Sequence, residues 1–272
     1  MSDLVKIVGE GIVGIKDGQD GIQCHGPYDV NYTTYDYKPD TSKGANYYLI
    51  SHCYLDNTGI VPSDADEAIS VVWGANAIIQ NCYIKNWGKA ILLGSGNEPR
   101  SMSEQMTVTI RNCVLDGNSR RHPYVQGGMR VKIENCIIKN WGNSFHEKSG
   151  GMRIENSSVE VNNCLFIQDR FIQTNLWNFF LDCCRQVETF STLKNFFTPG
   201  VTRGLYTIGN SNVVMNNCYK NKWWISLGGY NKKPMNKLTA DAIYLSILTD
   251  VPLSVQEAKE YKTAYTQGLL QI

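Results

Sequence analysis

The sequence predicts an all-β chain, wound as a single-stranded parallel β-helix with a C-terminal capping helix. Three observations predict it. One short phrase recurs along the 272 residues. Each copy alternates apolar and polar residues, as a strand with one buried face does. No copy carries the 3.6-residue period that a helical repeat needs. Hydrophobic residues make up 42% of the chain and charged residues 19%, a globular balance that excludes disorder.

In chain order, residues 4–15 already read as strand and turn. The phrase then appears weakly as Tyr48-Leu-Ile-Ser-His-Cys-Tyr-Leu55. It is clear in Ala77-Ile-Ile-Gln-Asn-Cys-Tyr-Ile84, Val108-Thr-Ile-Arg-Asn-Cys-Val-Leu115 and Val131-Lys-Ile-Glu-Asn-Cys-Ile-Ile138. It returns as Val159-Glu-Val-Asn-Asn-Cys-Leu-Phe166 and Val213-Val-Met-Asn-Asn-Cys-Tyr-Lys220. β-Branched residues dominate it, as strands prefer. A second short apolar strand follows each Asn-Cys pair. Turns such as Lys85-Asn-Trp-Gly88 close the unit. Short strands at this period stack as coils.

The Asn and Cys should then fall in register along the axis. The asparagines form a buried amide ladder and the cysteines a column of small apolar side chains. Ladder cysteines stand at 53, 82, 113, 136, 164 and 218. The 54-residue last gap predicts two coils, one with its phrase eroded. With nine cysteines, an odd number, and six of them in the repeat, mostly free thiols are expected. Cys183 and Cys184 fall outside the repeat. Residues 167–205 hold Trp177, Phe179, Phe180, Phe190, Phe196 and Phe197 and read as an excursion from the helix within a domain spanning 1–235. Residues 236–272 form the helical tail. There Ser254-Val-Gln-Glu257 is a capping box that opens a helix to about Gly268. The first coil shows no cap, which suggests a fragment or reliance on another domain or subunit.

Charge narrows the function. The formal net charge of +1 argues against a basic nucleic-acid binder. No apolar run reaches the roughly 18 residues of a membrane helix. No basic n-region precedes an apolar h-region at the start, so no signal peptide is read. The balance conceals a polarity, however. Residues 1–70 carry eleven acids and four bases, and residues 111–153 carry eight bases and three acids. That pairing suits a cation and an anionic substrate held together, or ordinary solvated charge.

The order of motifs from residue 4 to residue 142 resembles the pectate lyase-like polysaccharide lyases, which fold as right-handed parallel β-helices. Lys6-Ile-Val-Gly-Glu-Gly11 resembles that family's T-I-x-G-x-G coil. Leu49-Ile-Ser-His-Cys-Tyr54 resembles W-I-D-H-C-x-F, with Ser51 where Asp is usual. Trp87-Gly-Lys-Ala-Ile-Leu-Leu-Gly94 resembles H-x-K-x-x-L-x-G, and Arg121-His-Pro-Tyr-Val-Gln126 resembles R-x-P-x-x-R.

The resemblance implies β-elimination on an acidic, uronate-containing polysaccharide. A base removes the C5 proton, and cations or a metal stabilise the charge that develops on the carboxylate. Arg121 matches the family base, although arginine is normally always protonated. His122 is the rival base by its near-neutral pKa, but in a strand it should point away from Arg121. Lys89 matches the lysine that contacts the substrate carboxylate. Arg120, Tyr124 and Gln126 complete the expected substrate contacts, and Gln126 removes the charge of the second family arginine. Calcium is the implied cofactor. Asp20 and Asp66 match family ligands, Ser70 replaces the second acid, and Asp64, Glu67 and Asp17 are the compensating carboxylates. A calcium-free site built on Lys89, Arg121 and Arg120 is the alternative.

The resemblance also implies an extracellular or virion protein. A phage tailspike depolymerase is one such case, commonly a homotrimer. A non-catalytic carbohydrate-binding or adhesion β-helix stays open beside it. So does a glycoside hydrolase, which needs two carboxylates about 5–10 Å apart. His52 reads as a structural hydrogen-bonding residue.

Overall fold

The computed structural model describes residues 4–16, 18–26, 28–31, 36–39, 46–59, 66–94, 106–118, 120–141, 151–168, 204–221, 225, 227, 230–231 and 233–268. Three parallel sheets stack as a right-handed β-helix, followed by two C-terminal helices. The first sheet has seven strands: Leu4–Val8, Tyr47–Ser51, Asn76–Gln80, Thr107–Arg111, Arg130–Glu134, Ser158–Asn162 and Asn212–Asn216. The second holds Gly11–Val13, Tyr54–Asp56, Tyr83–Lys85, Val114–Asp116, Ile137–Lys139, Leu165–Ile167 and Tyr219–Lys220. The third holds Ile22–His25, Glu67–Val72, Lys89–Leu93, Tyr124–Val125, Met152–Glu155 and Leu205–Ile208. A short antiparallel hairpin, Tyr28–Asn31 with Asp36–Pro39, leaves the first coil.

The repeated phrase is the corner between the first and second sheets. Ile50, Ile79, Ile110, Ile133, Val161 and Met215 stack in register and are buried. The asparagine that follows turns the chain at positive φ: Asn81 (52°), Asn112 (52°), Asn135 (49°), Asn163 (52°) and Asn217 (51°). Only Gly and, at some cost, Asn and Asp visit this left-handed region readily, so the corner selects Asn. Each corner N–H from Asn81 to Asn163 donates to the next coil, as Asn112 N does to Glu134 O at 3.1 Å. Amide contacts join neighbouring rungs, Asn217 to Asn163 at 2.8 Å and Asn112 to Asn81 at 3.4 Å. The ladder is half-buried from Asn81 to Asn163 and exposed at Asn217, because a corner always presents one side to solvent. His52 (φ 53°) occupies the first rung and bonds Ser51 Oγ at 2.8 Å and Asn81 Nδ2 at 3.2 Å.

The six ladder cysteines stack inside, and Cys24 joins the core from the third sheet. Cys24, Cys53, Cys82, Cys113, Cys136, Cys164 and Cys218 are buried and free. Burial pushes the Cys24 and Cys218 thiols up to about 12. A second polar column, absent from the sequence reading, lines the corner between the second and third sheets. Asn57, Asn118 and Gln168 are buried and donate to the carbonyls of Ile15, Ile84 and Trp141.

Two expectations change. The 54-residue gap between Cys164 and Cys218 is one coil, because Ser158–Asn162 pairs directly with Asn212–Asn216. The extra length departs between the second and third sheets, and its residues 169–203, with the aromatic cluster and Cys183-Cys184, lie outside the described residues. The tail also does more than cap an end. Helix α1 (Lys237–Asp250) lays Ala240 and Ile247, with Val251 just after its end, on Val114, Ile137 and Leu165, along the outer face of the second sheet. Helix α2 (Val255–Thr266), capped by Ser254 Oγ accepting from Glu257 N at 3.2 Å, packs beside the first coil. Gly9 permits this, since a Cβ there would meet the Lys262 backbone nitrogen at 2.4 Å. The last coil is covered instead by Ile225 and Leu227, with Asn231 pairing to Met215. Among the described residues no single helix is long and apolar enough to cross a membrane.

Candidate active site

The third sheet brings the expected residues to one face. Parallel register sets Glu67 beside Lys89, and Lys89 beside Arg120. Ala90 N and Ile91 N donate to the carbonyls of Arg120 and Arg121 at 3.0 and 2.9 Å. Arg121 adopts φ 65°, an outlier for a non-glycine residue. Such strain is held only where the surroundings fix it, and here the next strand register resumes at Tyr124 opposite Leu92.

Charge is matched within the group. Lys89 pairs with Asp66, and Arg121 pairs with the buried carboxylate of Glu67. Asp20 is held by neutral donors: Ser70 Oγ at 2.6 Å, Gln23 Nε2 at 2.9 Å and Glu67 N at 3.0 Å. Ser70, which stands where a second acid was expected, therefore serves as a donor to the first. Burial pushes the Arg121 guanidinium down to about 10, with the charge of Arg153 in the same direction and Tyr124 and Asp20 opposing. Burial, and then the Arg120 charge, push the Lys89 ammonium below its ordinary range, and Asp20 opposes them.

The other expected contacts fare differently. His122 is fully buried, so it cannot meet a polysaccharide lying on this face; it lies in the turn before the Tyr124 strand, just after Arg121 at its positive φ, and not on a strand as expected. Gln126 is engaged by the turn, with Nε2 donating to Gly94 O at 3.0 Å. Tyr124 is nearly buried and donates its hydroxyl to Glu155 Oε2 at 2.6 Å. Burial and that bond push it up to about 12, so it stays neutral. Asp17 and Asp64 lie outside the described residues.

Arg153 and Glu155 join the site without having been singled out from sequence. Arg153 stands opposite Tyr124 in register, its guanidinium carbon 4.3 Å from the ring centre, and bonds Glu155 Oε2 at 2.9 Å. The alternation in Met152-Arg-Ile-Glu155 was the available signal, because it marks a strand whose polar face continues this sheet.

Asp20, Asp66 and Glu67 each offer an oxygen within 4.8 Å of the others. These are ligands of the kind calcium takes, which wants six to eight oxygens. Yet Lys89 and Arg121 already neutralise two of them, and three donors occupy the third. In this arrangement the carboxylates do not fit a resident calcium ion.

No curated protein matches the chain in sequence. Two solved structures resemble it. One is a mutant of Bacillus subtilis pectate lyase, 11% identical, with TM-score 0.46 over 91% of this chain and 64% of that one. The chain thus spans less than two thirds of that protein's length. The other is a pectate lyase studied for substrate specificity and an anti β-elimination mechanism, 12% identical, with TM-score 0.40 over 91% of this chain and 68% of that one. A family model, the right-handed β-helix region, matches residues 41–222. On that match, and on the three stacked sheets, the chain belongs to the right-handed β-helix family.

Proposed function

We propose that this protein is a polysaccharide lyase that cleaves a uronate-containing polysaccharide by β-elimination. One observation carries the reading: Lys89 and Arg121, the two cations expected from sequence, lie on neighbouring coils of one sheet face. Elimination needs a group to take the C5 proton and a fixed positive charge for the carboxylate, where charge develops in the transition state. Lys89 supplies the fixed charge. Arg121 takes the proton. Of the candidates it is the one reachable and shifted toward a neutral form, whereas His122 is buried and Tyr124 is held protonated. Glu67 positions Arg121 by direct contact.

Calcium, the implied cofactor, is not required in this reading. Its ligands are the partners of Lys89 and Arg121, so a cation at Asp20, Asp66 and Glu67 would have to displace them. The acidic polymer acted on would lie outside the cell, which fits an exported or virion-borne enzyme.

The test is ultraviolet absorbance from the unsaturated product, with polygalacturonate, alginate and acidic bacterial capsules as substrates. A rise is expected with at least one polymer, in chelator as well as in calcium. Lys89→Ala and Arg121→Ala should each lower it at least 100-fold. Bound polymer with no rise would leave a carbohydrate-binding β-helix. Falling viscosity with no rise would mean hydrolysis.

A further inference from the structure

The three sheet faces are used unequally. The second is covered by α1, and the third carries the candidate active site. The outer face of the first sheet holds a groove of about 440 Å³ that crosses its last four strands, from Thr107–Arg111 to Asn212–Asn216. Register lays out its floor. One row runs Thr107, Arg130, Ser158, Asn212, and the next runs Thr109, Lys132, Glu160, Val214. Lys132 pairs with Glu134 at 2.8 Å, and Glu160 accepts from Asn162 Nδ2 at 2.8 Å. The exposed Arg130 side chain makes no ion pair or hydrogen bond among the described residues. A solvated arginine is ordinary on its own. Here it stands inside a concave strip, with the uncommitted hydroxyl of Ser158 and amide of Asn212 on the next two coils.

We infer that this groove is a second, non-catalytic binding site, which takes an acidic sugar chain along the helix axis with Arg130 on one of its carboxylates. The guanidinium fork matches a carboxylate with two parallel N–H bonds. Coils repeat about every 4.8 Å, so the four strands span about 14 Å, the length of about three pyranose units. Hydroxyl and amide groups both donate and accept, as a polyhydroxylated ligand requires. Val214, 47% exposed, offers apolar surface to the C–H face of a ring. Lys132 is free to turn to the ligand, because an exposed ion pair such as Lys132–Glu134 holds it weakly. Other polymers fit less well. A peptide strand adds to a sheet edge, not to a sheet face. A nucleic acid backbone would meet the carboxylates of Glu134 and Glu160 beside the two cations. With one site on the first sheet and one on the third, a polymer long enough to reach both is held more tightly than a short one. That this polymer is also the substrate rests on the lyase reading; the groove itself does not.

Amide and arginine side-chain NMR on the full Lys89→Ala chain tests the groove, since that variant spares the probe from cleavage. Short oligomers of polygalacturonate, alginate and hyaluronan are titrated at equal ionic strength, with maltohexaose as the neutral control. The Arg130 Nε–Hε signal and the amides of Thr109, Lys132 and Glu160 should move together and saturably with at least one acidic oligomer. Maltohexaose should bind there at least tenfold more weakly. Arg130→Gln, an exposed change that leaves the core intact, should weaken the acidic oligomer at least tenfold. No saturable movement at these signals with any acidic oligomer, an equal response to maltohexaose, or one undiminished by Arg130→Gln overturns the site.

Kinetics supply the second readout. On a cleaved polyuronate, Arg130→Gln in the otherwise unmodified chain should raise KM at least fivefold more for the full-length polymer than for an oligomer too short to reach both faces. Equal penalties on the two overturn the claim that the groove holds the polymer during cleavage. Saturable movement in the groove with no cleavage of any polymer leaves the site standing and removes the lyase reading. Cleavage with no movement in the groove does the reverse.

Discussion

Asn112 shows what a single residue decides in this fold. Its backbone sits at φ 52°, its N–H bonds the next coil, and its amide reaches Asn81. Alanine there would keep the strained backbone and lose the amide, at about 1–2 kcal/mol for the left-handed conformation and about 1 kcal/mol for the hydrogen bond. Glycine would lose only the amide. Thermal or chemical unfolding should therefore rank Asn112→Gly above Asn112→Ala in stability; equal losses would mean that strain at the corner is not what selects Asn.

Arg121 makes a prediction of the same scale in pH. A base must be neutral to act, and burial lowers this guanidinium to about 10. The neutral fraction then grows as pH rises toward that value. The kcat/KM should climb about tenfold per pH unit between pH 7 and 9. It should fall again at higher pH as Lys89, also lowered, gives up its charge. A plateau from pH 7 upward, with an inflection near 6.5, would instead indicate a histidine and remove Arg121 from the role.

At the scale of elements, the two helices depend on glycine in the first coil. Gly9 combines φ 66° with the α2 backbone at the position a side chain would fill. Gly9→Ala must therefore push α2 away as well as strain its own backbone, and a loss of at least 2 kcal/mol is expected from those two costs together. Protease cleavage near Val251 should appear in the variant before the β-helix unfolds. If cleavage and global unfolding coincide, α2 is part of the same cooperative unit. Ser254→Ala removes only the N-cap bond to Glu257 and should cost about 1 kcal/mol.

On the scale of the whole molecule, the thiol column reports on the core. Among the described residues seven cysteines are buried, six in the column and Cys24 on the third sheet, and desolvation holds the Cys24 and Cys218 thiols protonated at neutral pH. The thiolate is the reactive form. Alkylation followed by peptide mapping should leave these seven unlabelled in the native chain and label them fully in denaturant. Labelling of Cys82 or Cys136 under native conditions would show that the coils separate. Solenoid coils contact only their neighbours, so an opening at either end would first expose Cys24 and Cys53 or Cys218.

The sequence by itself determined the stacked-coil architecture. Alternating residues before each Asn-Cys pair dictate a strand, and the repeat dictates that the strands stack, because no coil can bury its apolar face alone. It also determined the α2 cap at Ser254, a local pattern at fixed spacing, while Lys89 and Arg121 were singled out by the resemblance to the pectate lyase-like family. The tertiary structure decided what depends on neighbours 20–50 residues away. It made the last 54-residue gap one coil, through direct pairing of strands that the inserted segment separates in sequence. It carried α1 onto the second sheet and α2 back to the first coil. At the site, it buried His122, engaged Gln126 and turned Ser70 into a donor for Asp20. It also set Arg153 beside Tyr124. Register places side chains from successive coils side by side, and charge balance is settled only among residues that register has brought into contact.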